Sequence, residues 1–155
     1  MSFIVGIDGP AGTGKGTITN LVAKDLKLNQ IDTGAMYRAF TLYMLDNKVE
    51  LDEIEKIKEL LEKVKIDLIQ EDDKETVFLN GKDVTKEIRS KSVTNFVSPV
   101  SSIIEVRIKM VELQRKMAEG KNVIMEGRDI TTYVFPNANV KIYLDANVEE
   151  RAKRR

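Results

Sequence analysis

Nine consecutive residues near the start of the chain, Gly9, Pro10, Ala11, Gly12, Thr13, Gly14, Lys15, Gly16 and Thr17, place glycines at 9, 12 and 14 ahead of a lysine. Glycines at those spacings let the backbone curl so that successive N–H groups point into one concavity. A helix N-terminus behind them favours negative charge, and the lysine adds a mobile cation, so the segment suits phosphate oxygens. The spacing follows the phosphate-binding loop G-x-x-x-x-G-K-[ST] except at one position. Where that pattern puts a hydroxyl directly after the lysine, this chain has Gly16, and the hydroxyl comes at Thr17. Magnesium held through the residue after the lysine is therefore excluded in that form, while Thr17 could still assist indirectly. The bland alternative is a glycine-rich turn between a strand and a helix.

Two other clusters have the right chemistry. Asp32-Thr33-Gly34-Ala35-Met36-Tyr37-Arg38 sits where a short strand gives way to a helix, so free amides and the Thr33 hydroxyl are expected at a sheet edge where a second anion could bind. Arg38 could fork onto a monophosphate, because a guanidinium presents paired donors; a surface cation is the alternative, and Tyr37 alone reads as core. Glu126-Gly127-Arg128-Asp129 follows the apolar run Val123-Ile124-Met125. Glu126 there could position hydrated magnesium and Arg128 could meet a transferring phosphoryl group, or the four residues could form a strand-end turn with an internal Arg–Asp pair. The chain has no histidine and no cysteine. That removes Ser-His triads, histidine bases, and thiolate or imidazole metal sites, leaving Lys, Arg, Asp, Glu and backbone amides to do the chemistry.

These clusters need elements to hold them. Phe3 to Asp8 reads as a buried strand, then Gly14 to Leu26 as a helix with Ile18, Leu21, Val22 and Leu26 inward. Asn29 to Ile31 reads as a second strand. Helices are predicted from Ala35 to Leu45, with Met36, Phe40 and Met44 inward, and from Leu51 to Lys63. From Lys65 the period becomes two, and Asn80-Gly81 signals a tight turn, so a small antiparallel insert is expected. Ser102 and Glu105 have capping-box spacing for a helix reaching Ala118 with Ile104, Ile108 and Val111 buried. Asn122 to Glu126 and Val140 to Asp145 read as buried-type strands, and Val148 begins another helix. This alternation predicts a parallel sheet with helices on both faces, interrupted by the insert. With 155 residues, 42% of them hydrophobic, one domain with its own core is the expectation. The 25 basic and 25 acidic residues cancel, which argues against a nucleic-acid coat or a membrane-surface protein. The start MSFIVGIDG lacks the features of an export signal, so a cytoplasmic location is expected.

The order G-x-x-G-x-G-K-G-T resembles the loop of nucleoside monophosphate kinases. GPAGTGKGT, DTGAMYR, SPVSSIIEVR and GRDITTYVFP, four separated motifs in order, resemble cytidylate kinases in particular, and LNGKDVTKEIR resembles their insert. The resemblance covers residues 3 to 155. It implies an α/β P-loop kinase fold, with a parallel sheet flanked by helices and a small antiparallel insert at about 64–91 in a single domain. It also implies transfer of the γ-phosphoryl group of ATP to CMP or dCMP with Mg²⁺, acting as a monomer without nucleic acid or membrane. The loop Gly9 to Thr17 with Arg151, and Arg154 or Arg155, would then bind ATP. Lys15, Arg38 and Arg128 would be catalytic. Thr33, Tyr37, Arg38, Ser98, Arg107, Arg128 and Asp129 would bind CMP, with Ser98, Arg107 and Asp129 reading the cytosine edge; spacing alone makes no site of Ser98 and Arg107. Magnesium would be held by phosphates and water, with Thr17 and Glu126 assisting. Glu126 and Thr131 depart from the usual Asp and Gly of the family pattern. The family continues past the point where this chain ends, so the chain is expected to stop at the start of the lid. A sister kinase acting on UMP or AMP, a slow nucleotide-hydrolysing switch, and a binding module without turnover remain the alternatives.

Overall fold

The computed structural model describes residues 2–72 and 74–154; Arg155, expected near ATP, lies outside them. Two compact units result. One is built from residues up to 33 and from 114 onward, and the other is Gly34–Leu113.

The first unit holds a parallel sheet of β1 (Ile4–Asp8), β2 (Asn29–Asp32), β6 (Val123–Gly127) and β7 (Val140–Tyr143), in the order β2-β6-β1-β7. β1 and β6 are central and read as almost unbroken apolar runs, as strands covered on both faces must. Register aligns Asp8 with Gly127 and Asp32 with Glu126, so these strands end together at one edge. Among the described residues β7 pairs with β1 alone, and all four of its residues are exposed. The strand expected from Val140 forms, but among the described residues its side chains are exposed rather than buried.

Helix α1 (Lys15–Leu26) starts directly at the end of the glycine loop. Its buried residues are Thr19 and Ala23, and Ala23 and the half-buried Val22 pack with Val5, Ile7 and Ile124. Ile18, Leu21 and Leu26, expected inward, are exposed. Two stripes offset by one residue compete on this helix, and the one with the smaller side chains lies on the sheet, where short side chains allow close approach. A five-residue π-helical turn, Ile130–Val134, follows β6, and α6 (Val148–Arg154) follows β7. The last turns of α5 (Ile104–Ala118) also belong to this unit.

The second unit contains most of α2 (Thr33–Asp46), with Met36, Phe40 and Met44 buried as the periodicity predicts. α3 (Ile54–Lys63) follows, and then the antiparallel sheet of β3 (Ile66–Glu71), β4 (Lys74–Leu79) and β5 (Lys82–Asp83). Asn80 and Gly81 both have positive φ, 49° and 84°, the backbone that a two-residue hairpin of this twist requires. After a 3₁₀ turn at Glu87–Arg89 comes an unexpected helix, α4 (Lys91–Ser101), capped by the Ser90 hydroxyl accepting from the Val93 amide. Its β-branched residues and internal Pro99 hide it from propensity arguments. The Ser102 capping box does not form: Ser102 Oγ donates to the Ser98 carbonyl, as Ser101 Oγ does, so both hydroxyls close the end of α4. Ile104 and Ile108 are exposed, and Val106, Met110 and Val111 are the buried face of α5. Among the described residues no helix is long and apolar enough to cross a membrane.

Candidate active site

Gly9 opens the loop with φ 156°, and a methyl group there would overlap the Leu144 carbonyl oxygen. Gly12 and Gly14 are left-handed at 78° and 86°. A methyl on Gly12 would lie 2.9 Å from the Arg151 carbonyl oxygen, whereas one on Gly14 would meet only an Arg154 nitrogen at 3.7 Å. Gly14 is also the N-cap of α1 and provides no side-chain cap, and the first turn contains no acidic residue. The leading amides of α1 are thus left for an external acceptor. Lys15 Nζ and Thr13 Oγ1 both donate to the Pro10 carbonyl at 3.0 Å. Burial lowers the Lys15 pKa; Arg128 acts in the same direction, while Glu126, Asp8 and Asp32 oppose it. From α6, Arg151 Nε donates to the Ala11 carbonyl at 3.0 Å and Arg154 to the Gly12 carbonyl at 3.3 Å. The loop therefore carries cations on its carbonyl side as well.

At the end of β6, Glu126 is held largely out of water. Its pKa is raised, first by burial and then by the neighbouring Asp32 carboxylate, with the Thr19 hydroxyl and Lys15 pulling the other way. Among the described residues, neither its buried Oε2 nor the buried Thr19 hydroxyl has a partner within hydrogen-bonding geometry, so Thr19 acts on it only at longer range. Gly16 faces it: a methyl on Gly16 would sit 3.7 Å from Glu126 Oε1. Thr33 is buried and its hydroxyl donates to the Glu126 carbonyl at 2.8 Å, which ties β2 to β6. Arg128 is exposed and Asp129 half-buried.

Sequence reasoning missed Asp8. This carboxylate is 2% exposed and accepts three hydrogen bonds, from the Ile130 amide at 2.8 Å, the Thr131 amide at 2.7 Å and the Thr131 hydroxyl at 2.6 Å. Arg115, also missed, serves the other end of the same turn, donating to the carbonyls of Val134 at 3.0 Å and Tyr133 at 2.9 Å. The one available signal was a lone carboxylate closing an otherwise apolar strand, which burial obliges to find partners.

In the second unit, Arg38 is half-buried on α2, and one of its terminal nitrogens donates to the Ile88 carbonyl at 3.3 Å and the Thr94 hydroxyl at 3.0 Å. Both acceptors are neutral, so they orient the guanidinium without neutralising it. Tyr37 precedes it, half-buried. Ser98 lies within α4 and Arg107 in the first turn of α5, both exposed.

A family model described as cytidylate kinase matches residues 5–155. The chain belongs to the cytidylate kinase family. It is 51% identical over 151 residues to a cytidylate kinase of Caldicellulosiruptor saccharolyticus, covering 97% of this chain and 67% of that one. It is 52% identical to one of Geobacillus sp. strain WCH70 with the same coverage. To one of Fusobacterium nucleatum it is 51% identical over 154 residues, 99% of this chain and 69% of the other. The chain thus spans about two thirds of the length of these members of the cytidylate kinase family.

Proposed function

We infer that this chain transfers the γ-phosphoryl group of ATP to CMP or dCMP, giving ADP and the corresponding diphosphate. One observation carries the reading. On adjacent strands Asp8 is in register with Gly127, so the phosphate loop and Arg128 leave the same sheet edge side by side in a chain of this family. Open parallel sheets bind ligands at that edge.

The loop from Gly9 to Thr17 takes the ATP phosphates through backbone amides and the uncapped start of α1, and Lys15 meets the transferring end. Its present contact, a neutral carbonyl, is readily exchanged for a phosphate oxygen. Arg151 braces the loop through the Ala11 carbonyl. Arg38, oriented by neutral acceptors, and Arg128 take the acceptor phosphate, and Tyr37 lines the acceptor site. Ser98, Arg107 and Asp129 read the base. Asp129 can accept from the exocyclic amine of cytosine, while Ser98 and Arg107 donate to ring acceptors. Thr33 contributes by fixing β2 to β6, since its proton is committed to Glu126.

The residues fit magnesium bound through water. Glu126 offers a buried, unpartnered oxygen across from Gly16, and Thr17 follows in the first turn of α1. Among the described residues no group of three or more acidic side chains could hold a metal; in this reading phosphates and water complete the shell. When bound, the ion would neutralise charge on the phosphates. No side-chain base is required, because the attacking oxygen of a monophosphate is already anionic. Lys15, Arg38 and Arg128 act by in-line positioning and by matching charge that spreads over the phosphoryl oxygens.

A coupled ADP-release assay with CMP, dCMP, UMP and AMP tests this. Turnover with the cytosine nucleotides well above the other two is expected. ADP formation that ignores the acceptor would refute it in favour of simple hydrolysis.

A further inference from the structure

We propose that Asp8, acting through Thr131, is a positioning residue that sets Arg128 and Asp129 for the pyrimidine monophosphate acceptor. The proposal rests on the acceptor reading above and extends it to residues outside the set assigned to either nucleotide.

Arg128 and Asp129 form a two-residue bridge whose ends are both pinned. On one side Gly127 ends β6, and Ile130 lies so close over it that a methyl on Gly127 would be 2.9 Å from Ile130 Cδ1. On the other side the amides of Ile130 and Thr131 donate to the two oxygens of Asp8. The turn continues from Asp129 itself: the Asp129 carbonyl accepts from the amides of Tyr133 at 2.9 Å and Val134 at 3.1 Å. Moving Ile130 or Thr131 therefore moves the Asp129 backbone, leaving few free dihedrals between fixed points.

Thr131 uses both branches of its side chain. The hydroxyl donates to Asp8 Oδ2, and the methyl packs over Gly6, where an added methyl would come within 2.9 Å of it. The turn is charge-matched as well, with a carboxylate at its amide end and the Arg115 guanidinium at its carbonyl end. Asp8 meanwhile ends the strand that leads into the phosphate loop and acts electrostatically on Lys15. Changing Asp8 would thus disturb donor and acceptor sides together, whereas changing Thr131 isolates the acceptor side.

The test uses Thr131→Val, which keeps the shape and loses the hydroxyl, Thr131→Ser, which keeps the hydroxyl, and Thr131→Ala should the valine form not fold. CMP and ATP affinities are measured separately by calorimetry, with melting temperatures beside them. Thr131→Val and Thr131→Ala should weaken CMP binding about 3- to 10-fold while ATP binding stays within about twofold, because slight misplacement of a positioned group reaches only the ligand it contacts. Thr131→Ser should restore CMP affinity. Unchanged CMP affinity in a folded Thr131→Val, equal losses for both ligands, or no rescue by serine would overturn the proposal. A wild-type chain that binds ATP but no monophosphate would instead remove the acceptor reading, and this inference with it.

Discussion

Gly9→Ala should destabilise the ligand-free protein severely, while Gly14→Ala should barely affect it, although both residues belong to one phosphate loop. At Gly9 the added methyl is driven into the Leu144 carbonyl, a backbone group that cannot rotate away. Leu144 cannot withdraw cheaply either, because its amide donates to the Asp8 carbonyl at 2.8 Å. Breaking that bond costs about 1 kcal/mol. Overpacking against backbone adds about 1–3 kcal/mol, and the φ of 156° adds about 1 kcal/mol more for a residue with a Cβ. The sum, about 3–5 kcal/mol, is a large part of the stability expected for a chain of this size and corresponds to a melting temperature lower by about 10–15 °C. At Gly14 the methyl meets only the end of an arginine at 3.7 Å, leaving about 1 kcal/mol of left-handed strain, or about 3 °C. Thermal and urea unfolding without nucleotide measure both. Gly14→Ala should instead show its effect in ATP affinity, where the methyl competes with a phosphate. Equal melting temperatures for the two variants would refute the division of the loop into glycines required by packing and glycines required by ligand.

Lys15→Ala should lower turnover by on the order of 100- to 1,000-fold without lowering the melting temperature, since burial already disfavours its charge; near-normal turnover would remove the loop assignment. Glu126→Gln should stabilise the protein freed of nucleotide and magnesium at neutral pH. The folded carboxyl holds its proton to higher pH than the unfolded one, so the wild type loses stability as pH rises out of the ordinary carboxylate range and the variant does not. The advantage should vanish in acid, and one that is constant with pH would contradict this. Gln114 is 1% exposed with neither amide atom partnered, so Gln114→Leu should raise stability by about 1–3 kcal/mol, or about 3–9 °C; a lower melting temperature would show that the amide is satisfied. Asp129→Asn should narrow the preference for CMP over UMP by about one to two decades, mostly through lost CMP activity. Equal losses on both nucleotides would end its base-reading role.

What the sequence disclosed and what it hid divide along contact range. The glycine loop, the Asn80-Gly81 hairpin and the Met36, Phe40 and Met44 stripe each follow from neighbours within a few residues, and each is found. The inward face of α1 was misread because two apolar stripes compete there, and only the sheet beneath decides between them. β7 forms where its apolar run predicts a strand, and its residues are exposed among the described residues. The candidate site shows the same division. Lys15, Arg38 and Arg128 are proposed from local motifs. Asp8 and Thr131 are 123 positions apart and meet only because β1 and β6 become parallel neighbours with Asp8 opposite Gly127. Parallel pairing always joins residues distant in sequence, since the chain must cross back before it can pair. Strand ends gather the chemistry at one edge, so the groups that aim it are drawn from strands far apart in the chain. A buried carboxylate ending an apolar strand therefore signals that an aiming contact exists, but its partner emerges only with the strand order.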